Sequence, residues 1–144
     1  MNLDELKVMI KKDLDIDQTA LDAESSRTPQ LHNKYLVMFM DEKLKLKRMN
    51  SELSVLRRNK WLYYTGRMSQ EELTQFGWEP FELNILKTEA DDMIESDVDY
   101  IKASEKVNFQ EEKVSYLESV IKIVQNRQWQ IRAMIDWLKF TQGV

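Results

Sequence analysis

The stretch VNFQEEKVSYLESVIKIVQNRQWQIRAMIDWL, residues 107–138, decides the fold. Its apolar side chains recur at steps that combine threes and fours: Val107, Val114, Leu117, Ile121, Val124, Ile131, Ile135 and Leu138. Such steps place side chains on one face of an α-helix, and no Gly or Pro interrupts the chain from residue 99 to 141. We therefore predict a long helical region over residues 99–141.

An apolar stripe of this length has to be covered, either by an earlier helix of the same chain or by other subunits. Trp129, Trp137, Val120 and Ile123 lie beside the stripe and widen its apolar surface. This favours self-association, and the predicted interface residues are Val114, Leu117, Ile121, Val124, Ile131, Ile135 and Leu138. The alternative is a monomeric helical bundle whose core absorbs the same residues.

The rest of the chain also indicates helices, because 3 Gly and 2 Pro are too few for the turns of a many-stranded β protein. A short amphipathic helix is predicted over residues 3–12 and a long one over 29–65, beginning at Thr28-Pro29 and ending at Gly66. Ser69 to Gly77 has the form of a capped short helix, and 82–98 is an acidic segment with Thr88 as a candidate cap. The predicted fold is all-α, with residues 1–98 as an N-terminal helical region and 99–144 as oligomerisation helices that form a bundle or ring.

Composition argues against several functional classes. The chain has no Cys and one His, so a thiolate nucleophile and a Cys- or His-rich metal site are excluded, and an enzyme is not expected. The longest apolar run is five residues, Leu36 to Met40, against the roughly 20 that a membrane span needs. Asp13, Asp15, Asp17 and Glu24 have the 1, 3, 5, 12 spacing of an EF-hand, but its glycine position is Gln18; we expect caps and solvated turns, with no metal and no cofactor.

The middle of the chain is basic although the net charge is −4. Residues 43–67 contain eight Lys or Arg and one acid, Glu52. Basic side chains neutralise phosphates and aromatic rings stack on bases, which is the combination that single-stranded nucleic acid requires. Residues 1–98 are accordingly the predicted DNA-binding helical region. The candidate DNA-binding residues are Lys43, Lys47, Arg57, Arg58, Lys60, Trp61, Tyr64 and Arg67. The alternative interpretation is a solvated basic face with aromatic residues in the core.

The stretch Arg57-Arg58-Asn59-Lys60-Trp61-Leu62-Tyr63-Tyr64-Thr65-Gly66-Arg67 resembles the UvsY recombination mediators of T4-like phages, in which basic residues run into Tyr-Tyr-Ser-Gly-Arg. The opening Leu3-Asp4-Glu5-Leu6 is also similar to that family's amino terminus. A Lys-x-Arg pair of the family stands here as Arg58-Asn59-Lys60, with the residue types exchanged and both charges kept.

The resemblance implies a non-catalytic homo-oligomer, a ring of six or seven subunits, that binds single-stranded DNA. It implies as partners the phage recombinase, UvsX-like, and the phage single-strand-binding protein that the recombinase replaces, and as location the cytoplasm of the infected bacterial host. It makes Arg58 and Lys60 the first DNA contacts and allows a helix break at Asn126-Arg127-Gln128. The competing function is a self-assembling coiled-coil adaptor or scaffold without DNA binding.

Overall fold

The computed structural model describes residues 1–143, and the regular elements of that range are all helices. They are α1 (Leu3–Leu14), α2 (Leu21–Tyr64), α3 (Gln70–Phe76), α4 (Lys87–Glu95) and α5 (Val98–Gln142). The all-α prediction, with a short first helix and two long ones, is confirmed. The chain forms two compact units, and α2 and α5 contribute residues to both. Unit 1 comprises Met1–Leu44 and the chain from Glu112 onward, and unit 2 comprises Lys45–Glu111.

Short-range capping chemistry sets several helix ends where the sequence predicts them. The Ser69 side chain accepts a hydrogen bond from the backbone N–H of Glu72 at 3.2 Å, which caps the first turn of α3. Gly77 ends α3 in the left-handed conformation, at φ +69°, and its N–H donates to the backbone of the last turn. Gly66 follows the end of α2 with φ +73°. The caps predicted at Ser69, Gly77 and Gly66 are therefore confirmed.

The core of unit 1 is made by α1, the first part of α2 and the middle of α5. Its core cluster of buried side chains consists of Leu6, Ile10, Leu31, Tyr35, Leu117, Val120, Ile121 and Val124. Five of the predicted interface residues are thus buried within one chain, namely Val114, Leu117, Ile121, Val124 and Ile131, whereas Ile135 is 37% exposed and Leu138 is partly buried. The chain's own packing covers most of the apolar stripe, which makes those five residues core residues of unit 1.

The predicted start of the second helix is wrong, because α2 begins at Leu21 and Pro29 lies inside it. The turns before Pro29 are held by contacts with a distant part of the chain. Arg127, 1% exposed, donates from Nε to the Thr28 hydroxyl at 3.2 Å and forms an ion pair with Glu24. These contacts offset the backbone hydrogen bond that a proline cannot donate.

The helix break allowed at Asn126-Arg127-Gln128 is also wrong, because these residues lie in the middle of the continuous helix α5. Arg127 is buried against α2 through the same contacts with Glu24 and Thr28. An unbroken helix keeps the guanidinium in register with both partners, so the buried ion pair favours continuity at this position.

The carboxylates with EF-hand spacing have structural partners instead of a common centre. Asp13 accepts from Lys34 Nζ and from the Tyr35 hydroxyl, both at 2.6 Å, and Asp17 accepts from Thr19 in a turn. Burial raises the pKa of Asp13, but the hydrogen bonds from Lys34 and Tyr35 outweigh it and lower the pKa below the usual value. Burial and the neighbouring Asp13 raise the pKa of the Tyr35 hydroxyl. Within residues 1–143, no group of three or more acidic or His side chains is arranged to hold a metal ion.

Unit 2 combines the second part of α2 with α3, α4 and the first part of α5. Its buried apolar side chains include Leu73 of α3, Ala90 and Ile94 of α4, and Val107 of α5. The acidic segment 82–98 becomes helical only at Lys87, where the Leu86 N–H donates to the Glu89 carboxylate at 3.1 Å. Thr88 therefore lies inside the first turn of α4, and its predicted role as a cap is wrong. Among the helices of residues 1–143, none is long and apolar enough to span a membrane.

Candidate nucleic-acid interface

Two exposed cations and a serine form a row on the part of α2 that belongs to unit 2. Lys47, Ser54 and Arg58 follow one another at intervals of seven and four residues, so their side chains share one face of the helix. All three are exposed, and neither Lys47 nor Arg58 forms an ion pair with any residue in the range 1–143. This row, with Trp61 and Arg67 at its carboxyl-terminal end, is called the basic row below.

Trp61 and Arg67 join an aromatic surface to these charges. The Arg67 guanidinium carbon lies 5.0 Å from the centre of the Trp61 ring, within the range of a cation–π contact. Trp61 is half-buried and Arg67 is exposed. Lys43 lies in unit 1, exposed, with its ammonium 5.5 Å from the centre of the Phe39 ring.

Lys60 is placed differently from the cations of the basic row. It is 4% exposed, and its ammonium lies 3.1 Å from Asp97 Oδ2 and 2.9 Å from Asp99 Oδ2. The same ammonium lies 3.9 Å from the centre of the Trp78 ring. Its donors therefore face the interior of unit 2, and the structure favours a positioning role for Lys60 over the predicted direct contact with DNA.

Tyr64 belongs to the same interior network. Its hydroxyl donates to Asp97 Oδ2 at 2.6 Å, and its ring packs edge to face against Phe81 with centroids 5.0 Å apart. Burial and the adjacent Asp97 raise the pKa of this hydroxyl. Because the ring and the hydroxyl of Tyr64 both have partners within unit 2, Trp61 is the better candidate for stacking on a base.

Asp97 is the centre of this network. Burial raises the pKa of Asp97, but hydrogen bonds from the Tyr64 hydroxyl, the Tyr100 backbone and Lys60 outweigh burial and lower the pKa below its ordinary value. A buried carboxylate with three donors stays ionised at neutral pH and fixes the positions of the groups around it. The network thus anchors the end of α2 from which Trp61 projects.

Arg57 is intermediate in exposure between the basic row and the buried Lys60. Its side chain is 38% exposed, and Nη2 lies 3.2 Å from Oδ1 of Asp91, which is 65% exposed. Nη1 donates to the Tyr100 hydroxyl at 3.3 Å, and the guanidinium lies over the Tyr100 ring at 5.6 Å. Arg57 is accordingly accessible but already paired.

Sequence reasoning missed the partners of these cations: Asp91, Asp97, Asp99, Tyr100 and Trp78. They lie between 18 and 43 residues from the groups they contact, and no local pattern links them. A signal for Lys60 was present, because Leu53, Leu56 and Lys60 are spaced by three and four and so lie on one helix face. That face is the apolar one, which predicts that Lys60 is buried.

A second apolar surface runs along the carboxyl-terminal part of α5 in unit 1. Trp129, Ala133, Trp137 and Phe140 are spaced by four, four and three, so they share a helix face. All four are exposed, and the Trp137 and Phe140 rings stack with centroids 5.8 Å apart. This set is called the outer stripe. The sequence placed its tryptophans beside the predicted interface, and the structure leaves them uncovered by the described chain.

The family model for the recombination, repair and ssDNA binding protein UvsY matches residues 9–144 of this sequence. The chain belongs to the UvsY family. The recombination protein uvsY of Enterobacteria phage T4 is 24% identical to this UvsY-family chain over 143 residues, which is 99% of each protein. The predicted membership of this family of recombination mediators is confirmed.

The fold of this UvsY-family chain is also found in solved structures. The crystal structure of the bacteriophage T4 recombination mediator protein UvsY in lattice type II is similar with a TM-score of 0.84 and 23% identity, covering 99% of both chains. The lattice type IV structure gives 0.85 and 21%, covering 97% of this chain and 99% of the T4 chain. The two sequences have therefore diverged widely while the helical architecture has been kept.

Proposed function

We propose that this chain binds single-stranded DNA and promotes loading of the phage recombinase in place of the single-strand-binding protein. The observation that carries the proposal is the basic row, in which Lys47 and Arg58 are exposed and have no ion pair among residues 1–143. Exposed, unpaired cations release counterions from a phosphate backbone at no cost of breaking an internal contact. Membership of a family described as ssDNA binding supports the same conclusion.

Each member of the basic row has a distinct part in this proposal. Lys47, Arg58 and Arg67 contact phosphates, and Trp61 offers a ring on which a base can stack irrespective of its identity. Lys60 and Tyr64 do not reach the DNA; they hold the end of α2 through Asp97. Phosphate contacts and stacking do not read base edges, so binding is indifferent to sequence.

Several copies of a weak site can act together on one DNA strand. We propose that the outer stripe packs against neighbouring subunits and so forms a homo-oligomeric ring of six or seven subunits. Such a ring presents several basic rows to one DNA strand. Simultaneous contacts raise the effective affinity without new contacts in any one subunit. The proposed role is non-catalytic, since exchanging one protein for another on DNA breaks no covalent bond, and its place is the cytoplasm of the infected bacterial host.

The test compares two arginines of α2. Arg58→Ala removes a cation of the basic row, whereas Arg48→Ala removes the same charge from a position about 80° away around the helix. Affinity for a labelled mixed-sequence single-stranded oligonucleotide is measured by fluorescence anisotropy at several salt concentrations and matched oligomer size. Loss of a charged phosphate contact is expected to weaken binding roughly fivefold or more in Arg58→Ala and to lower the salt dependence.

Two results would count against the proposal. Equal losses in Arg48→Ala and Arg58→Ala would show that total charge matters and the basic row does not. Absence of binding by well-folded wild-type oligomer at low salt would refute DNA binding and favour the self-assembling adaptor.

A further inference from the structure

The Arg57 guanidinium has two partners, Tyr100 and the exposed carboxylate of Asp91. On one side Tyr100 accepts a hydrogen bond from Nη1 and lies under the guanidinium plane. On the other side Asp91, 65% exposed, forms an ion pair with Nη2 at 3.2 Å. An exposed ion pair contributes little to stability, because solvent screens both charges. The contact with Asp91 is therefore the one that another anion can replace.

The neighbouring cation does not share this property. Lys60 and its partner Asp97 are 4% and 8% exposed, so separating them would leave a charge without a partner inside unit 2. Arg57 and Lys60 are three residues apart in the sequence and both pair with acids of the segment 91–99. Only the pair of Arg57 is accessible to a phosphate.

We propose that Asp91 acts as a built-in competitor for DNA at Arg57, so that a phosphate of single-stranded DNA displaces the Asp91 carboxylate and takes its place on Nη2. The inference rests on the DNA binding proposed above and adds Arg57 to the basic row as a cation that becomes available on binding. A phosphate oxygen accepts from the guanidinium as a carboxylate oxygen does.

Tyr100 keeps the Arg57 side chain in place while its anionic partner changes. When Asp91 leaves, the hydrogen bond to Nη1 and the ring beneath the guanidinium still fix the arginine, so the incoming phosphate meets an oriented donor. The free energy needed to separate Arg57 from Asp91 reduces the free energy of DNA binding. Asp91 thus lowers the affinity of each subunit for DNA, which suits a protein that has to hand the strand on to a recombinase.

The chain offers a matched control next to Asp91. Asp92 is exposed, lies on the same helix α4 and forms no ion pair within residues 1–143. Asp91→Asn and Asp92→Asn remove the same charge, but only Asp91→Asn removes the ion pair of Arg57. Binding of a mixed-sequence single-stranded oligonucleotide is measured for both variants in about 0.15 M salt, where charges more than about 8 Å apart are largely screened.

Asp91→Asn is expected to tighten DNA binding by up to about fivefold, the most that an exposed pair is worth, and Asp92→Asn by less than about twofold. The same two substitutions are then made in an Arg57→Ala background, where both should have the small effect. This double-mutant cycle isolates the Arg57–Asp91 pair from the general loss of negative charge.

Equal effects of Asp91→Asn and Asp92→Asn in the otherwise wild-type chain would overturn the inference and leave the proposed function intact. So would a preference for Asp91→Asn that persists in the Arg57→Ala background. Failure of the wild-type chain to bind DNA would refute the proposed function and this inference together. The three failures are distinguishable from one set of titrations.

Discussion

Replacing Lys60 with Ala should destabilise the protein, because the Lys60 ammonium is part of the interior of unit 2. The substitution removes the ion pairs with Asp97 and Asp99 and the contact with the Trp78 ring. A variant of a surface DNA contact would lose binding and keep its stability. Lys60→Ala therefore distinguishes a positioning residue from the direct contact that sequence resemblance predicts.

The size of the effect follows from the burial of each partner. Removing one member of a buried ion pair costs about 3–5 kcal/mol. Asp97, 8% exposed, keeps the Tyr64 hydroxyl at 2.6 Å and the Tyr100 backbone N–H at 3.0 Å, which places the cost at the lower end of that range. Asp99 is 56% exposed and adds little. We expect a loss of about 3 kcal/mol, equivalent to a urea midpoint about 1–2 M lower.

The assay is urea unfolding followed by circular dichroism, at one subunit concentration for all variants because assembly contributes to apparent stability. Lys47→Ala is the control, since Lys47 is an exposed lysine of the same helix; its free energy of unfolding should change by less than about 0.5 kcal/mol. Equal midpoints for Lys60→Ala and Lys47→Ala, with DNA binding lost in Lys60→Ala, would refute the argument and restore Lys60 as a DNA contact.

Three further outcomes are expected. The folded-state pKa of Asp97 is lowered, so its ionised carboxylate stabilises the fold above the unfolded pKa of 3.8, and this stabilisation is lost as pH falls below that value. The urea midpoint should therefore drop below pH 3.8, and the drop should be smaller in Lys60→Ala, which lacks one of the groups that lower this pKa. Gly77→Ala should cost about 1 kcal/mol in thermal unfolding, because φ is +69° although nothing lies within 4 Å of the added Cβ. Trp137→Asp should lower the oligomer mass in light scattering at unchanged helix content, since Trp137 is exposed on the outer stripe; an unchanged mass would exclude this face as the interface.

The parts of the fold that depend on neighbouring residues were predictable from the sequence. The Ser69 and Gly77 caps are set within a few residues, and the period of α5 is set by its own apolar side chains. The start of α2 was not predictable in this way. Thr28-Pro29 is a good local start signal, but Glu24 and Thr28 are held by Arg127, about 100 residues later in the chain. A contact across that separation outweighed the local signal.

The assignment of α5 to an interface shows a similar limit. The periodic stripe correctly predicted an apolar face, but periodicity alone does not say which surface covers it. Leu117, Val120 and Val124 are covered by α1 and α2 of the same chain. The outer stripe is left exposed, and its Trp137 and Phe140 are off the main period. Large aromatic residues outside the core period were the better sequence signal for an apolar surface that the chain itself leaves uncovered.

The candidate site follows from where charges lie on α2 as well as from how many there are. Lys60 lies on the apolar face of α2 and forms its ion pairs inside unit 2. Arg57 lies at the edge of that face and forms its ion pair at the surface. Arg58 lies on the exposed face and has no ion pair among residues 1–143. The acidic segment therefore does not screen the basic stretch uniformly. It pairs with the inner cation in the interior of unit 2 and with the edge cation at the surface, and it leaves the outer cation without an ion pair among residues 1–143. Affinity for DNA should then depend on the number of accessible, unpaired cations. An affinity calculated from the total charge of residues 43–67 should be too high.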